Sequence, residues 1–277
     1  MDYKMVVTDL DGTLLNDDKK ISEHDIYILN KLNSKGIPIV IATGRNYFMA
    51  KKLIEQIKNL NPVILANNGA IIRMSETDDV LEQNYLNYIY FEEIYQHGLK
   101  YGLHPIVHVD EYINGYDIIY ENENIEKFYL GYIKKDDDRT RLKKFKSNII
   151  NNILSVCYLA DFNKLQDFYY EMKKDSDGRF NSLCNLNIGK RAMLEFLHPD
   201  GCKWRAIKKF AESLNIKHES IVSFGDDNND IEMLKNSGMG IAMINGTDEC
   251  INAGNKTSEF DNNNSGVSHE LLKLFHI

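Results

Sequence analysis

The 277-residue chain predicts an α/β fold: a doubly wound parallel sheet interrupted by an inserted α+β module. Three observations carry this expectation. Short apolar, β-branched runs alternate with amphipathic stretches of helical period at both ends of the chain. The middle of the chain breaks that alternation and is dense in Tyr, Asn and Lys. The alternation then returns after His198-Pro199. One core interrupted by an insert accounts for this order better than two domains in series, because the sheet then needs both ends of the chain.

Residues 4–8 read as a buried strand. "ISEHDIYILNKLNSKG" reads as a helix, with Ser22 as N-cap, Ile26, Leu29 and Leu32 on one face, and Gly36 as terminator. "IPIVIATGR" is a second strand ending at Thr43-Gly44. The helix after it carries Met49, Leu53, Ile54 and Ile57. "PVILANNGA" is a third strand that runs into an Asn-Asn-Gly turn, and "AIIR" with "VLEQN" has the look of a hairpin there or close by. Beyond residue 83 the strand-like "ILSVCYLA" and "RAMLEFL" mix with the helix-like "DFNKLQDFYYEMKKD". "KWRAIKKFAESLN", "SIVSFGDD", "NDIEMLKNSG" and "GIAMI" then restore the helix–strand alternation. The expected division is residues 1–83 and 193–277 for the core, and 84–192 for the insert.

Composition narrows the function. The 43% hydrophobic and 27% charged content is ordinary for a folded soluble protein. No apolar stretch is long enough to cross a bilayer, and Asp9 and Asp11 interrupt the only run that resembles a signal segment, so a cytoplasmic protein is expected. A formal net charge of −8 argues against nucleic-acid or anionic-membrane partners. Cys157, Cys184, Cys202 and Cys250 are widely separated, which reads as free thiols rather than zinc ligands or a disulfide framework. "GMGIAM" lacks the third glycine of a dinucleotide fingerprint and begins a strand instead of following one. Oligomeric state leaves no readable signal.

Chemistry concentrates where strands end. In open α/β sheets, ligands bind outside the carboxyl ends of the strands. The first strand delivers Asp9 and Asp11 there, the second Thr43, the third Asn68; the strand near 220–225 delivers Gly225, Asp226 and Asp227, with Asn229 and Asp230 just beyond. Asp9, Asp11, Asp226 and Asp230 in one crevice would repel each other and take up protons unless a cation intervened. An all-oxygen set suits Mg²⁺, which takes one or two carboxylates together with a substrate phosphate. A phosphorylated substrate is therefore the expected partner, which the resemblance described below narrows to a small phosphorylated metabolite. Asp9 suits a nucleophile that becomes an aspartyl-phosphate. Asp11 suits the proton carrier that serves the leaving oxygen and then water. Gly12 allows the backbone to bend close to a phosphate, and Thr13 adds a hydroxyl and an N–H at the same turn. Thr43 and a lysine would help the metal neutralise the phosphoryl oxygens. Arg45 either reaches a substrate anion or pairs with a carboxylate, and Asn68 either shapes a turn or touches substrate. His104, His108 and Asp110 share one face if "HPIVHVD" is a strand; they read as its polar side rather than a metal site.

These motifs carry a resemblance. "DLDGT" at 9–13, "ATGR" at 42–45 and "GDDNND" at 225–230 resemble motifs one, two and four of the haloacid dehalogenase (HAD) superfamily. "NNGA" at 67–70 and the large insert resemble its Cof-type branch of small-molecule phosphatases. The resemblance spans the chain in order. It implies a HAD-like Rossmannoid core, with the insert as a cap that closes over the substrate. Asp9 is then the nucleophile and Asp11 the general acid/base. The metal falls to the Asp9 side chain, the Asp11 carbonyl and Asp226, with Asp230 in its outer shell or acting through water. Thr43 and the amide of Gly44 would hold the phosphate, with Asn229 close by and Lys203 as the motif-three cation. Leu10, Gly12, Arg45 and Asn68 complete the candidates for phosphate or substrate contact. One position departs: Trp204 follows Lys203, where the family often has glycine. It is expected to pack on the sheet, on a helix face that runs Trp204, Ile207, Ala211 and Leu214. The resulting expectation is a Mg²⁺-dependent phosphatase. The alternatives are a phosphomutase using the same aspartate and a non-catalytic phospho-ligand sensor, the latter disfavoured by the intact Asp9/Asp11 pair.

Overall fold

The computed structural model describes residues 3–129, 131–134, 137–188 and 191–277. The chain opens with β1 (Met5–Thr8), α1 (Glu23–Ser34), β2 (Ile39–Ala42), α2 (Tyr47–Ile54), β3 (Val63–Ala66), β4 (Ile71–Met74) and β5 (Val80–Gln83). There follow α3 (Tyr88–Lys100), β6 (Ile106–Val109), β7 (Ile118–Tyr120), α4 (Ile125–Tyr129), β8 (Thr140–Leu142), β9 (Ile153–Ala160), α5 (Phe162–Asp175), β10 (Asn181–Ile188) and β11 (Arg191–Leu197). The last part contributes α6 (Lys203–Ser213), β12 (Ile221–Gly225), α7 (Ile231–Asn236), β13 (Met239–Ala242), α8 (Asp248–Ala253), β14 (Lys256–Thr257) and α9 (Gly266–Phe275). No helix among the described residues is long and apolar enough to cross a membrane.

Two compact units result, one from residues up to Gln83 together with Cys202–Ile277, the other from Asn84–Gly201. In the first, a sheet runs β14-β13-β12-β1-β2-β3-β4-β5. Every pair from β14 to β3 is parallel, while β3–β4 and β4–β5 are antiparallel, so the sheet is mixed at one side rather than parallel throughout. The cause is local. Asn67 and Asn68 adopt left-handed φ angles of 48° and 54° and turn β3 straight back into β4, leaving no length for a crossover helix.

The strands β1, β2, β3 and β12 are buried along their whole length, which is why they read as continuous apolar runs. One face of the sheet offers Met5, Val7, Val40 and Leu65 to Trp204, Ile207 and Ala211 of α6 and Met233 of α7. The alternate residues Val6, Ile39, Ile41 and Ile64 are equally buried. Trp204 thus packs where expected, but Leu214 terminates α6 and is exposed. Likewise the buried side of α2 is Tyr47, Ala50 and Ile54, and Met49 faces out. In α1, Ser22 caps the helix by accepting from the Asp25 N–H, and Asp25 is buried beside Ile28, Leu29 and Leu32 because its carboxylate takes the Ser268 N–H of α9. The edge strand β5 is largely exposed and carries Glu82, which pairs with Lys209; a charged edge discourages further strand addition.

The second unit is a sheet in the order β10-β11-β9-β6-β7-β8, antiparallel except for β7–β8. Period-two alternation divides it into two cores. Val107, Val156, Tyr158, Leu194 and Phe196 meet Phe91, Tyr95 and Phe168 of α3 and α5, whereas Ile106, Cys157 and Leu159 meet Tyr129 of α4. The expected boundary at 192/193 cuts through β11. That strand stays whole in the second unit because it is paired along its length with both β9 and β10, and the division falls after Gly201. His104 lies outside β6; it meets Glu121 at 2.8 Å, His108 meets Tyr132 Oη at 3.1 Å, and Asp110 accepts from Tyr85 Oη at 2.6 Å. The three are dispersed among separate partners. Cys157 and Cys250 are buried and all four cysteines are free.

Candidate active site

Parallel register brings four strand ends side by side. Thr8 of β1 is level with Phe224 of β12 and Ile41 of β2, and Ala42 is level with Leu65 of β3. The residues that follow therefore emerge on one edge. The Asp9 N–H donates to the Phe224 carbonyl at 3.0 Å and the Thr43 N–H to the Leu65 carbonyl at 2.8 Å, so both candidates are held by the sheet's own ladder.

Lys203, the first residue of α6, sends its ammonium 2.6 Å from Asp9 Oδ1 and 2.7 Å from Asp230 Oδ1, and its side chain is 0% exposed. A buried ammonium needs such partners. Burial pulls the Lys203 pKa down, but the Asp230 and Asp9 carboxylates more than offset this and hold it above the ordinary lysine value. Asp9 moves up: loss of solvent dominates, and repulsion from Asp230 and Asp226 adds to it against the pull of Lys203. Asp226 is pushed up to about 7, first by burial and then by Asp230, with the Thr13 hydrogen bond opposing.

Asp9, Asp226 and Asp230 each offer a carboxylate oxygen within 4.8 Å of the others, close enough to hold a metal ion. The raised proton affinities of Asp9 and Asp226 mark a concentration of negative charge that a divalent cation would relieve. Asp230 is already well occupied. Its Oδ1 takes Lys203, and its Oδ2 accepts from the N–H groups of Asp226 and Asp227 at 3.1 and 3.3 Å. That leaves Asp9 and Asp226 as the more available ligands, with Asp230 bracing both. Asp227 serves the backbone instead, capping the short turn at Asn228–Asp230.

The turn after β1 is built around Asp226. Thr13 Oγ1 donates to Asp226 Oδ1 at 2.7 Å. Gly12 has φ +76°, and a Cβ there would stand 2.3 Å from Asp226 Oδ2, so no other residue fits both the dihedral and the space. Asn245 Nδ2 donates to the Gly12 carbonyl at 2.8 Å and steadies the turn from the far side. Leu10 is fully buried, and its carbonyl accepts from the N–H groups of Thr13 and Leu15.

Asp11 points outward and is 37% exposed. Arg45 grips it with Nε at 2.5 Å from Oδ2 and Nη2 at 2.7 Å from Oδ1, while Lys19 Nζ sits 2.8 Å from Oδ1. Partial burial would raise the Asp11 pKa, but the hydrogen bonds and charges of Arg45 and Lys19 overcome it and hold the carboxyl below its ordinary value. Arg45 is thus paired with a carboxylate, that of Asp11.

Thr43 is buried. Its hydroxyl oxygen accepts the Arg45 N–H at 3.1 Å, and its carbonyl accepts the Asn68 N–H at 3.0 Å. Asn68 Oδ1 accepts from Asn229 Nδ2 at 2.9 Å, joining the β3–β4 turn to the turn after β12. A Cβ on Gly44 would come within 3.3 Å of Asn68 Oδ1, which places Gly44 beside this pair. Gly69 has φ +94° and a Cβ there would strike the Cys202 carbonyl at 2.7 Å, so the Asn-Asn-Gly turn rests directly on the entry to α6.

The structure therefore brings Asp9, Lys203, Asp226, Asp230 and Thr13 into one contiguous network, joins Asp11 to Arg45, and joins Asn68 to Asn229. Three contributions escape a reading of the sequence alone. Asn245 follows β13, the neighbour of β12, and the strand-end rule applied once more would have reached it. Thr13 reads as a donor to phosphate, yet its hydroxyl is spent on Asp226. Lys19 has no strand-end signal, since its position depends on how the loop after β1 folds back.

A family model described as haloacid dehalogenase-like hydrolase matches residues 6–271. Among curated relatives, the Bacillus subtilis (strain 168) 5-amino-6-(5-phospho-D-ribitylamino)uracil phosphatase YwtE is 27% identical, with 98% of this chain and 98% of the relative covered. The similarly described YitU of the same organism is 24% identical, covering 99% of this chain and 98% of the relative. A solved haloacid dehalogenase-like hydrolase from Bacteroides thetaiotaomicron superposes with a TM-score of 0.80 over 99% of this chain and 100% of its own, at 24% identity. That likeness bears on the fold, whereas the family match over nearly the whole sequence bears on descent: the chain belongs to the haloacid dehalogenase-like hydrolase family.

Proposed function

We propose that this protein is a Mg²⁺-dependent phosphatase that hydrolyses a small phosphorylated metabolite through a phospho-aspartyl intermediate on Asp9. The observation that carries the reading is the buried Lys203 ammonium between Asp9 and Asp230, with Asp226 within 4.8 Å of both. A structural salt bridge needs one carboxylate. Three carboxylates around one lysine leave negative charge that either protons or a divalent cation must balance. The relatives named as phosphatases of a phosphorylated ribitylamino-uracil lend the phosphomonoester class.

When bound, Mg²⁺ would be held by Asp9 and Asp226 and would draw charge from the phosphoryl oxygens. The Asp9 carboxylate attacks phosphorus, a P–O bond to Asp9 forms, and the ester P–O bond breaks. Asp11 hands its proton to the departing oxygen. Asp11 then takes a proton from water, whose oxygen attacks the phosphoryl group; the bond to Asp9 breaks and free phosphate leaves. Lys203 stays in place through both steps, compensating charge on Asp9 as it changes. Thr43 and the Gly44 amide would hold the phosphate, with Leu10, Gly12, Asn68 and Asn229 around it. For the first step Asp11 must carry a proton, so Arg45 and Lys19 must loosen their hold, and an arriving anionic substrate competes for both. The inserted unit, Asn84–Gly201, is the expected selector of the leaving group.

Phosphate release from p-nitrophenyl phosphate tests the reading. Wild-type protein should turn over with Mg²⁺ and stop when the metal is chelated, and Asp9→Asn should fall by about 10³-fold or more. Full activity in that variant removes Asp9 from its role. Transfer of phosphate to a sugar hydroxyl with little release would instead indicate a mutase.

A further inference from the structure

We propose that Asn262 is a positioning residue for the proton carrier: with Asn245 and Asn263 it clasps the loop after β1 and fixes where the Asp11 carboxyl stands. The inference rests on the phosphatase reading above.

The clasp is built from three asparagines more than two hundred residues further along the chain. Asn262 is 6% exposed, and its Nδ2 donates to the Leu15 carbonyl at 2.9 Å. Asn245 Nδ2 donates to the Gly12 carbonyl at 2.8 Å, and Asn245 Oδ1 accepts the Asn262 N–H at 3.3 Å, so the two side chains act as one brace. Asn263 closes on Asp17: its Oδ1 accepts the Asp17 N–H at 3.1 Å and its Nδ2 donates to Asp17 Oδ2 at 3.2 Å. Asn262 Nδ2 also reaches Asp17 Oδ1 at 3.4 Å. The turn that bears the clasp is itself closed, since the Gly266 N–H donates to the Asp261 carbonyl at 3.0 Å.

Leu15 carries the constraint to Asp11. Its N–H donates to the Leu10 carbonyl at 2.8 Å, which pairs buried Leu15 with Asp11 in an isolated parallel bridge. The path from Asn262 to the peptide joining Leu10 and Asp11 is therefore one hydrogen bond into Leu15 and one out of it. Closing the loop would not require this, because the loop has a turn of its own: the Lys19 N–H donates to the Asn16 carbonyl and Asn16 Oδ1 accepts the Lys20 N–H, both at 2.9 Å. The asparagine ties flank Asp11 at Gly12, Leu15 and Asp17 and leave its carboxylate to Arg45 and Lys19. A proton carrier needs that division. Its backbone must be fixed while its carboxyl serves first the leaving oxygen and then water. Misplacing such a group by about 1 Å costs about 10²-fold in rate.

Phenyl, p-chlorophenyl and p-nitrophenyl phosphate test this with Mg²⁺ present. The three carry the same charge and nearly the same shape, but the departing oxygen needs a proton most in phenyl and least in p-nitrophenyl phosphate. Their kcat/KM values cover the step in which Asp11 supplies that proton. Relative to wild type, Asn262→Ala should lose about tenfold or more on phenyl phosphate and about threefold or less on p-nitrophenyl phosphate, with p-chlorophenyl phosphate between. Asp17→Ala, at an exposed position, should give the same order with a smaller spread, and it decides alone if Asn262→Ala does not fold. A purely structural role lowers the folded fraction and scales all three esters alike. Equal losses on the three esters, in whichever of the two variants folds, overturn the proposal. No hydrolysis of p-nitrophenyl phosphate by wild type fails the phosphatase reading and the inference with it.

Discussion

Lys203 and Asp9 are 194 residues apart in the chain, yet their ammonium and carboxylate meet at 2.6 Å where solvent does not reach. The pair exists only because α6 starts where β1 ends, which ties the geometry of the candidate site and stability to one contact.

Lys203→Met should therefore fail twice. Removing one partner of a buried ion pair costs about 3–5 kcal/mol, since Asp9 and Asp230 are left facing each other. Urea denaturation in metal-free buffer should show that loss, and it should be smaller at pH 5 than at pH 8 because the stranded carboxylates can take up protons. Phosphate release should drop by about 10²-fold or more. A stable variant with ordinary turnover would contradict the arrangement.

Asp226 gives a pH signature. Its pKa stands at about 7 in the folded chain against an ordinary 3.8, so the folded state holds a proton that the unfolded state has released. Between those values stability contributed by this residue falls as pH rises, and it levels off above about 7. Asp226→Asn removes the penalty. In chelator, the variant should gain on wild type from pH 4 to pH 8, by roughly 2–4 kcal/mol at the upper end. Mg²⁺ should reverse the ranking above pH 7, stabilising wild type and leaving the variant nearly unchanged, as thermal melts at several pH values would record.

The Thr13 hydroxyl donates to Asp226 Oδ1 at 2.7 Å. Thr13→Val keeps the shape and deletes the donor. A hydrogen bond to a charged group contributes about 1.5–3 kcal/mol, and supports of this kind change metal affinity by about tenfold or more. Calorimetric titration with Mg²⁺ should show the weaker binding, and Thr13→Ser should restore it.

Asn229→Ala removes the donor to Asn68 Oδ1 at 2.9 Å without touching the carboxylate cluster. Stability should fall by about 1 kcal/mol. Turnover of p-nitrophenyl phosphate should fall by about tenfold while Mg²⁺ affinity holds, which a KM and kcat comparison beside a metal titration resolves.

Much of this site was legible in the chain because of one rule of sheets. Parallel strands end together, so Asp9, Thr43, Asn68 and Asp226 could be placed on a common edge from strand pattern alone. The buried strands announced themselves as unbroken apolar runs, and Ser22 and Gly36 marked the ends of α1. The reading was weakest where a contact depends on length and direction instead of pattern. Met49 sits within α2 but on its outward side, between the buried Tyr47 and Ala50, and Leu214 keeps the helical period but stands past the last residue of α6. The β3–β4 reversal hung on two asparagines accepting left-handed angles, which Asn tolerates but does not compel.

What the linear order determined was the alternating core, its interruption, and the set of carboxylates at strand ends, since those follow from local periodicity and chain direction. Only the tertiary structure decided how they are partnered: that Lys203 divides its charge between Asp9 and Asp230, that Thr13 serves Asp226, and that Arg45 and Lys19 both hold Asp11. Those pairings are settled by distances of a few ångströms between loops far apart in sequence. Short-range periodicity carries no information about such distances; packing of the whole core sets them.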